Sequence, residues 1–454
     1  MIFTVLLIAG AVVFIVLATT SLKMHPFLAL ILAALGFGLL SGMPGPEVID
    51  AIAAGFGGTV GSIGIVILFG AIIGVFLERS GGALRLAESI LKKTGEKHIP
   101  AAMGGVGYIV SMPVFCDTAF IILSSLNRAL SKKAGVGIAA GAIALSLGLY
   151  TTHTMVPPTP GPVAAAGILG ADLGLVILWG IVVSLVALVA GWVFAVKFAA
   201  SVEVPDTLVA TADVPAGDTN AVGVERNTPP GVFAAIVPIL LPIVLILLRS
   251  IAQLPSAPFG GEALYTFLNF IGHPVIALLA GVAFAFTLPQ RFTRQMLSAG
   301  GWVGEAVAAA APIIIITAAG GAFGRVLQSA EIGTVLQPYV ETLQMGVAIP
   351  FLAAAILKTA QGSSTVAIIT SASLMAPFMA ALGLDSDVGR ALTVVAIGAG
   401  SMVVSHANDS YFWVVTQFSG MDVKTGYKLQ TLGTLVAGTA AGLSVWVLSL
   451  FLIQ

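Results

Sequence analysis

Four short clusters place polar side chains inside stretches otherwise too apolar to face water, where such groups are costly and usually functional. The first, Met112-Pro113-Val114-Phe115-Cys116-Asp117-Thr118, sits between two apolar arms, 99–113 and a second piece ending near Leu126. Asp117 has no basic neighbour within four residues. An unpaired buried carboxylate suits a proton carrier or a cation ligand, and it also suits the N-cap of the second arm. The second cluster, Thr151-Thr152-His153-Thr154, runs into Pro157-Pro158-Thr159-Pro160-Gly161-Pro162. That proline run ends any helix, freeing carbonyls and helix ends for a ligand. His153 there either titrates near neutral pH or bonds a freed carbonyl.

The third cluster is Thr359-Ala360-Gln361-Gly362-Ser363-Ser364-Thr365. Small hydroxyl residues ahead of a helix N-terminus expose backbone N–H groups and a positive dipole end, a seat for a carboxylate. Lys358 just before it would complement an anion or snorkel to the outer surface. The fourth, Ser405-His406-Ala407-Asn408-Asp409-Ser410, is followed by Tyr411-Phe412-Trp413, whose aromatics read as an interfacial belt.

The elements that must carry these clusters are membrane helices. Of the 454 residues, 9% are charged and 58% hydrophobic, with a mean hydropathy of +1.07; a soluble chain carries roughly 25% charged residues. The 53 glycines and 23 prolines are tolerated in such helices, and the ten-residue alternation of a β-barrel is missing. Residues 2–20 lack a basic n-region and a cleavage site, so they read as a retained helix and not a signal peptide. The single cysteine, Cys116, excludes an intrachain disulfide or Cys-rich metal cluster, and the net charge of −1 gives no sign of nucleic-acid binding.

A span needs about 20 apolar residues. Candidates lie near 2–20, 26–42, 60–78, 173–198, 231–249, 274–288, 305–324 and 431–452, with two interrupted ones at 135–170 and 388–425. The short arms around Asp117, and those of 346–382 around the Ser363 cluster, predict re-entrant hairpins, although ordinary short spans remain an alternative. Residues 200–229 are rich in Pro, Thr, Asp and Gly and read as a linker. Each half then runs two spans, a short interfacial stretch, a third span, a hairpin, an interrupted span and a last span. Gly74/Gly324, Pro100/Pro350, Gly170/Gly420 and Asp172/Asp422 pair at a constant offset, as internal duplication requires.

The expected fold is therefore an all-α polytopic membrane protein. It has two inverted-topology repeats, 1–199 and 230–454, joined by a cytoplasmic linker, 200–229. Together they hold about 10 full spans, two interrupted helices and two re-entrant hairpins, or about 14 hydrophobic segments. Five crossings per half invert the second half. With both termini outside, fifteen Lys and Arg fall inside and only Arg249, Arg325, Lys358 and Arg390 outside, in line with the positive-inside rule. The sequence holds no H-E-x-x-H zinc pair, phosphate loop or recognisable nucleophile–base set, so no metal, cofactor or enzymatic role is expected.

The segments SMPVFCDTAFIIL, YTTHTMVPPTPGPVAAAGILGADLG, KTAQGSSTVAIITSASLMAP and SHANDSYFWVVTQFSGM resemble the gluconate permease (GntP) family of the ion-transporter superfamily, over nearly the whole chain. That resemblance implies proton-coupled uptake of gluconate or a related sugar or hydroxy acid across the bacterial inner membrane, which makes the outer side of the charge count, and so both termini, periplasmic. It further implies a central site formed by a hairpin and an unwound helix from each half, elevator-like motion, and a homodimer. On that basis Ser363, Ser364 and Thr365, with Gln361 and Thr118 at the tips, would hold the substrate carboxylate. Thr152, Thr154 and Asn408 would read its hydroxyls, and Asp117, His153, His406 or Asp409 would carry the proton. Sodium coupling, a D-serine or glycerate substrate, and an anion channel are the alternatives.

Overall fold

The computed structural model describes residues 2–94, 98–134, 137–202, 204, 230–253, 262–330 and 345–453. Among the described residues every regular element is helical, the arrangement that satisfies backbone polar groups within a single segment in lipid. Most of the 200–229 linker lies outside the described residues.

The first half comprises α1 (Ile2–Thr20), α2 (Pro26–Leu40), α3 (Gly45–Arg79), α4 (Gly82–Thr94), α5 (Ile99–Val110), α6 (Cys116–Ala134), α7 (Ile138–Met155), α8 (Pro160–Leu169) and α9 (Leu173–Lys197). The second comprises α10 (Val232–Ala252), α11 (Glu262–Ile271), α12 (Pro274–Ala285), α13 (Trp302–Ser329), α14 (Ala348–Gln361), α15 (Ser364–Met375), α16 (Asp387–Gly400) and α17 (Ser410–Ser419). It closes with α18 (Val423–Leu452), which carries a π-turn at Tyr427–Thr431.

By length and composition, α3, α9, α10, α13 and α18 can each cross a bilayer, and the pair α11/α12, bent by 61°, makes a sixth. The remaining apolar elements are shorter. α14 and α15 have 14 and 12 residues, about 21 and 18 Å at 1.5 Å per residue, well short of the roughly 30 Å hydrocarbon layer. Helix length alone thus marks six of the ten full spans expected.

Three boundaries differ from the sequence expectation. α3 runs for 35 residues from Gly45, absorbing the stretch expected to be interfacial. Its glycine-rich first half lowers apparent helicity, but that half is held by close packing on α13. A Cβ on Gly55 would stand 2.7 Å from Arg325 Cβ and 2.8 Å from Ala322 Cα. An amphipathic helix instead follows the third span, as α4. Finally, α6 continues past Leu126 to Ala134, 19 residues in all. Ser124, Ser125 and Asn127 end the apolar run without breaking the helix, since such residues cost only a few tenths of a kcal/mol there.

The two halves share local chemistry. α2 and α12 both open His-Pro, with His25 Nδ1 accepting from Phe27 N (3.3 Å) and His273 Nδ1 from Val275 N (3.4 Å). α8 and α17 both end on a left-handed glycine, Gly170 (φ 62°) and Gly420 (φ 74°). Asp172 and Asp422 then cap the next helix, each accepting a backbone N–H at 2.8 Å. Packing is reciprocal too. α3 lies along α13, and α9 along α18, while the second arm of each hairpin packs on the second segment of the other half's broken helix, α6 on α17 and α15 on α8.

Candidate functional site

The polar clusters fall at helix ends. α5 and α6 are joined at 111–115, and α14 and α15 at Gly362-Ser363; α7/α8 break at 156–159 and α16/α17 at 401–409. The first break contains a cis Pro157–Pro158 peptide, and the second contains Val404 at φ 57°, a left-handed conformation that strains a β-branched residue. Because α6 meets α17 and α15 meets α8, the breaks and tips are neighbours in space.

At their junction lies a buried ion pair. Lys358, on the last turn of α14, is 0% exposed. Its ammonium donates to Asp409 Oδ2 at 2.6 Å and to the Gly362 carbonyl, and stands 5.7 Å from the centroid of the Tyr150 ring. Asp409 is also the N-cap of α17. Its Oδ1 accepts from Tyr411 N at 3.1 Å, while Oδ2 accepts from Ser405 Oγ at 2.5 Å and Tyr150 Oη at 3.5 Å. Of the two expectations for Lys358, complementing an anion and snorkelling, the structure forms the first, with Asp409 as the anion, so Lys358 is no surface charge. With Asp409 within reach, pairing satisfies the ammonium without a path to water, as buried charges require.

Asp117 is half-buried in the first turn of α6, two residues past the N-cap position, Phe115. Its Oδ2 lies 3.7 Å from Cys116 Sγ, and Oδ1 is buried without a hydrogen-bond partner. The charges of Asp409 and Lys358 both act on it. His153 is buried beside Phe115, with ring centroids 6.2 Å apart, and its Nδ1 has no partner; no bond from that nitrogen to a freed carbonyl forms.

The other expected residues divide. Ser363 is exposed, and its hydroxyl caps α15 by accepting from Val366 N at 3.3 Å. Thr118, Ser364 and Thr365 are half-buried at the same helix ends. Both polar atoms of Gln361 are buried and unpartnered. Thr152 and Thr154 are fully buried, their hydroxyls turned back onto carbonyls of their own helix. Asn408 Nδ2 donates to the Thr359 and Ala360 carbonyls at 2.9 and 3.2 Å, and His406 Nε2 stands 2.9 Å from Thr359 O. Those two side chains close the open C-terminus of α14. Gly362 is required at this contact: its φ is +83°, and a Cβ there would overlap the Asn408 carbonyl.

Sequence reasoning missed the second tier around the pair. Tyr150 and Tyr411 lie with ring centroids 4.9 Å apart. Tyr411 Oη donates to Ser146 O at 3.0 Å, and Ser146 Oγ to Gln430 Oε1 at 2.9 Å, Gln430 being on the π-turn of α18. Lys358 did carry a signal, as the sole charge in 346–382. Away from the helix tips, a cleft of about 560 Å³ opens between α3, α10 and α12 on one side and α8, α9 and α16 on the other; Arg249, Ser250, His273 and Asp172 are among its walls.

The GntP family permease model matches residues 3–451. A gluconate permease of Pseudomonas aeruginosa is 32% identical over 95% of this chain and 94% of its own length. The D-serine transporter DsdX of Escherichia coli is 33% identical over 97% and 96% respectively. The solved structure of the Alcanivorax borkumensis YdaH transporter has the same fold, with a TM-score of 0.66 at 14% identity over 94% of this chain and 98% of that one. Apolar helices, polar breaks and relatives agree that this multi-pass membrane protein is a permease and not an enzyme: the chain belongs to the GntP permease family.

Proposed function

We propose that the protein is a secondary carrier of the bacterial inner membrane that takes up a small hydroxylated carboxylate, with gluconate first among candidates, together with a proton. The observation that carries this reading is the buried Lys358–Asp409 pair beside the unpartnered carboxylate oxygen of Asp117, at the joined ends of four half-helices. One cation, two carboxylates and several helix N-termini can hold an anion and a proton in one place. The halves 1–199 and 230–454 act as inverted repeats joined by a cytoplasmic linker, with the termini periplasmic. The matched His-Pro, glycine and aspartate caps support that division. Elevator-like movement across the cleft and pairing into a homodimer belong to the same reading.

Uptake of labelled D-gluconate into proteoliposomes under an imposed inward proton gradient is the test. Accumulation that ignores the proton gradient but follows sodium would remove the proton. Flux that never concentrates the solute would indicate a channel. A second substrate class has its own support: the orphaned Asp117 oxygen could receive an ammonium group, which favours a D-serine-like amino acid. Competition of gluconate uptake by D-serine and D-glycerate separates these.

A further inference from the structure

Resting on the carboxylate-carrier reading, we infer that Lys358 is the seat of the substrate carboxylate and that Asp409 is its placeholder in the empty carrier. Asp409 occupies the ammonium just as a substrate carboxylate would, at 2.6 Å. A second N–H of Lys358 goes to the Gly362 carbonyl, and the third has no oxygen partner among the described residues. Ser363, Asn408 and Ser410, the sequence neighbours of Gly362 and Asp409, are exposed, so the buried pair is one residue from the surface along the chain. A small parting of the second hairpin tip from the start of α17 opens it. Besides the ion pair itself, the two are held together there by the hydrogen bonds of Asn408 and His406 to Thr359 and Ala360.

Exchange of partners couples the two fluxes. When the substrate carboxylate takes Lys358, Asp409 is left buried without a counter-charge, which a low-dielectric site disfavours. It therefore gains a proton: an O–H bond forms on its carboxyl, the proton coming from the side on which the substrate enters. The site gains one negative and one positive charge, and its net charge is unchanged. On the far side the substrate leaves, Asp409 releases the proton to that side and returns to Lys358. Ser405 and Tyr150 keep Asp409 hydrogen-bonded in either state. The other titratable groups around it are Asp117 and Cys116 on α6, Tyr150 and His153 on α7, Tyr411 on α17, and His406 in the break. Asp117 and His406 are the half-buried groups among these, and Asp117, with its unpartnered Oδ1, is the entry point for the proton.

The experiment uses purified full-length protein in proteoliposomes, with D-gluconate, D-glycerate and D-serine as labelled probes. Wild type should exchange its substrate in counterflow, and should concentrate it about tenfold under a one-unit pH gradient, the ratio that one coupled proton sustains. Asp409→Asn, which leaves the ammonium free of a competing charge, should keep counterflow while its accumulation ratio falls to one. Lys358→Gln should lose both. The variant Lys358→Gln/Asp409→Asn strands no charge; it should elute as a monodisperse species and lose both as well, so failure to fold cannot mimic the result. Tenfold accumulation by Asp409→Asn, or substrate exchange by either variant lacking Lys358, overturns the inference. If wild type transports none of the three probes, the functional reading itself falls and takes this inference with it.

Discussion

Replacing one member of the Lys358–Asp409 pair by an apolar residue should destabilise the substrate-free protein far more than replacing both. The two charges are 2.6 Å apart and almost wholly shielded from solvent, so their attraction at an effective dielectric of 20 is about 6 kcal/mol. Desolvation of both ions offsets most of that, leaving the pair close to neutral for stability as a unit. Removing one partner is different, because the survivor keeps its desolvation cost with nothing to compensate it. Lys358→Met or Asp409→Leu alone should therefore cost about 3–5 kcal/mol, while the double variant recovers most of the loss. Thermal unfolding of detergent-purified protein, followed by loss of the monodisperse peak, gives the comparison as a double-mutant cycle. Singles that melt with wild type, or a double variant that melts as low as the sum of the singles predicts, would refute the reasoning that the pair is buried and isolated from water.

Other substitutions probe the scaffold around it. Gly362→Ala forces a side chain into the left-handed region at about 1–2 kcal/mol, in addition to the overlap with Asn408; it should lower the melting temperature and abolish uptake. Asn408→Ala and His406→Ala each leave Thr359 O one donor, so either alone should be mild. Losing both should cost about 0.5–1.5 kcal/mol, because Thr359 is exposed and water replaces the lost donors, measurable by the same unfolding assay. Asp172→Ala should cost more than Asp422→Ala. Both remove an N-cap worth about 1 kcal/mol, but Asp172 also accepts from Ser250 of α10 at 2.6 Å. Tyr411→Phe removes the donor to Ser146 O and should cost about 0.5–1.5 kcal/mol, read out as a lower melting temperature.

Much of this protein could be read from its chain because the bilayer leaves few choices. A scarcity of charge, apolar runs of span length and the demand that backbone groups pair locally dictate helices. Proline clusters and small hydroxyl runs dictate where those helices must stop. The breaks at Pro157–Pro160 and around Asn408 and both polar tips were legible on those grounds, while the family was legible only from the resemblance of its four motif segments. Length was less so. α3 and α6 outrun their apolar segments, because a helix in contact with another helix tolerates glycine, serine and asparagine that hydropathy counts against it.

Partnership was beyond reach. Lys358 and Asp409 are separated by 50 intervening residues, and nothing in either neighbourhood states that a hairpin end and a broken helix will meet. Asn408 looked like a ligand reader, yet its amide closes the end of α14. Thr152 and Thr154 looked available, yet their hydroxyls are spent on their own helix. The sequence by itself determined where polar groups interrupt the apolar runs, since that depends on local hydropathy. Which of them face one another, and so which lysine waits beside which aspartate, is a matter of long-range packing, and only the tertiary structure decided it.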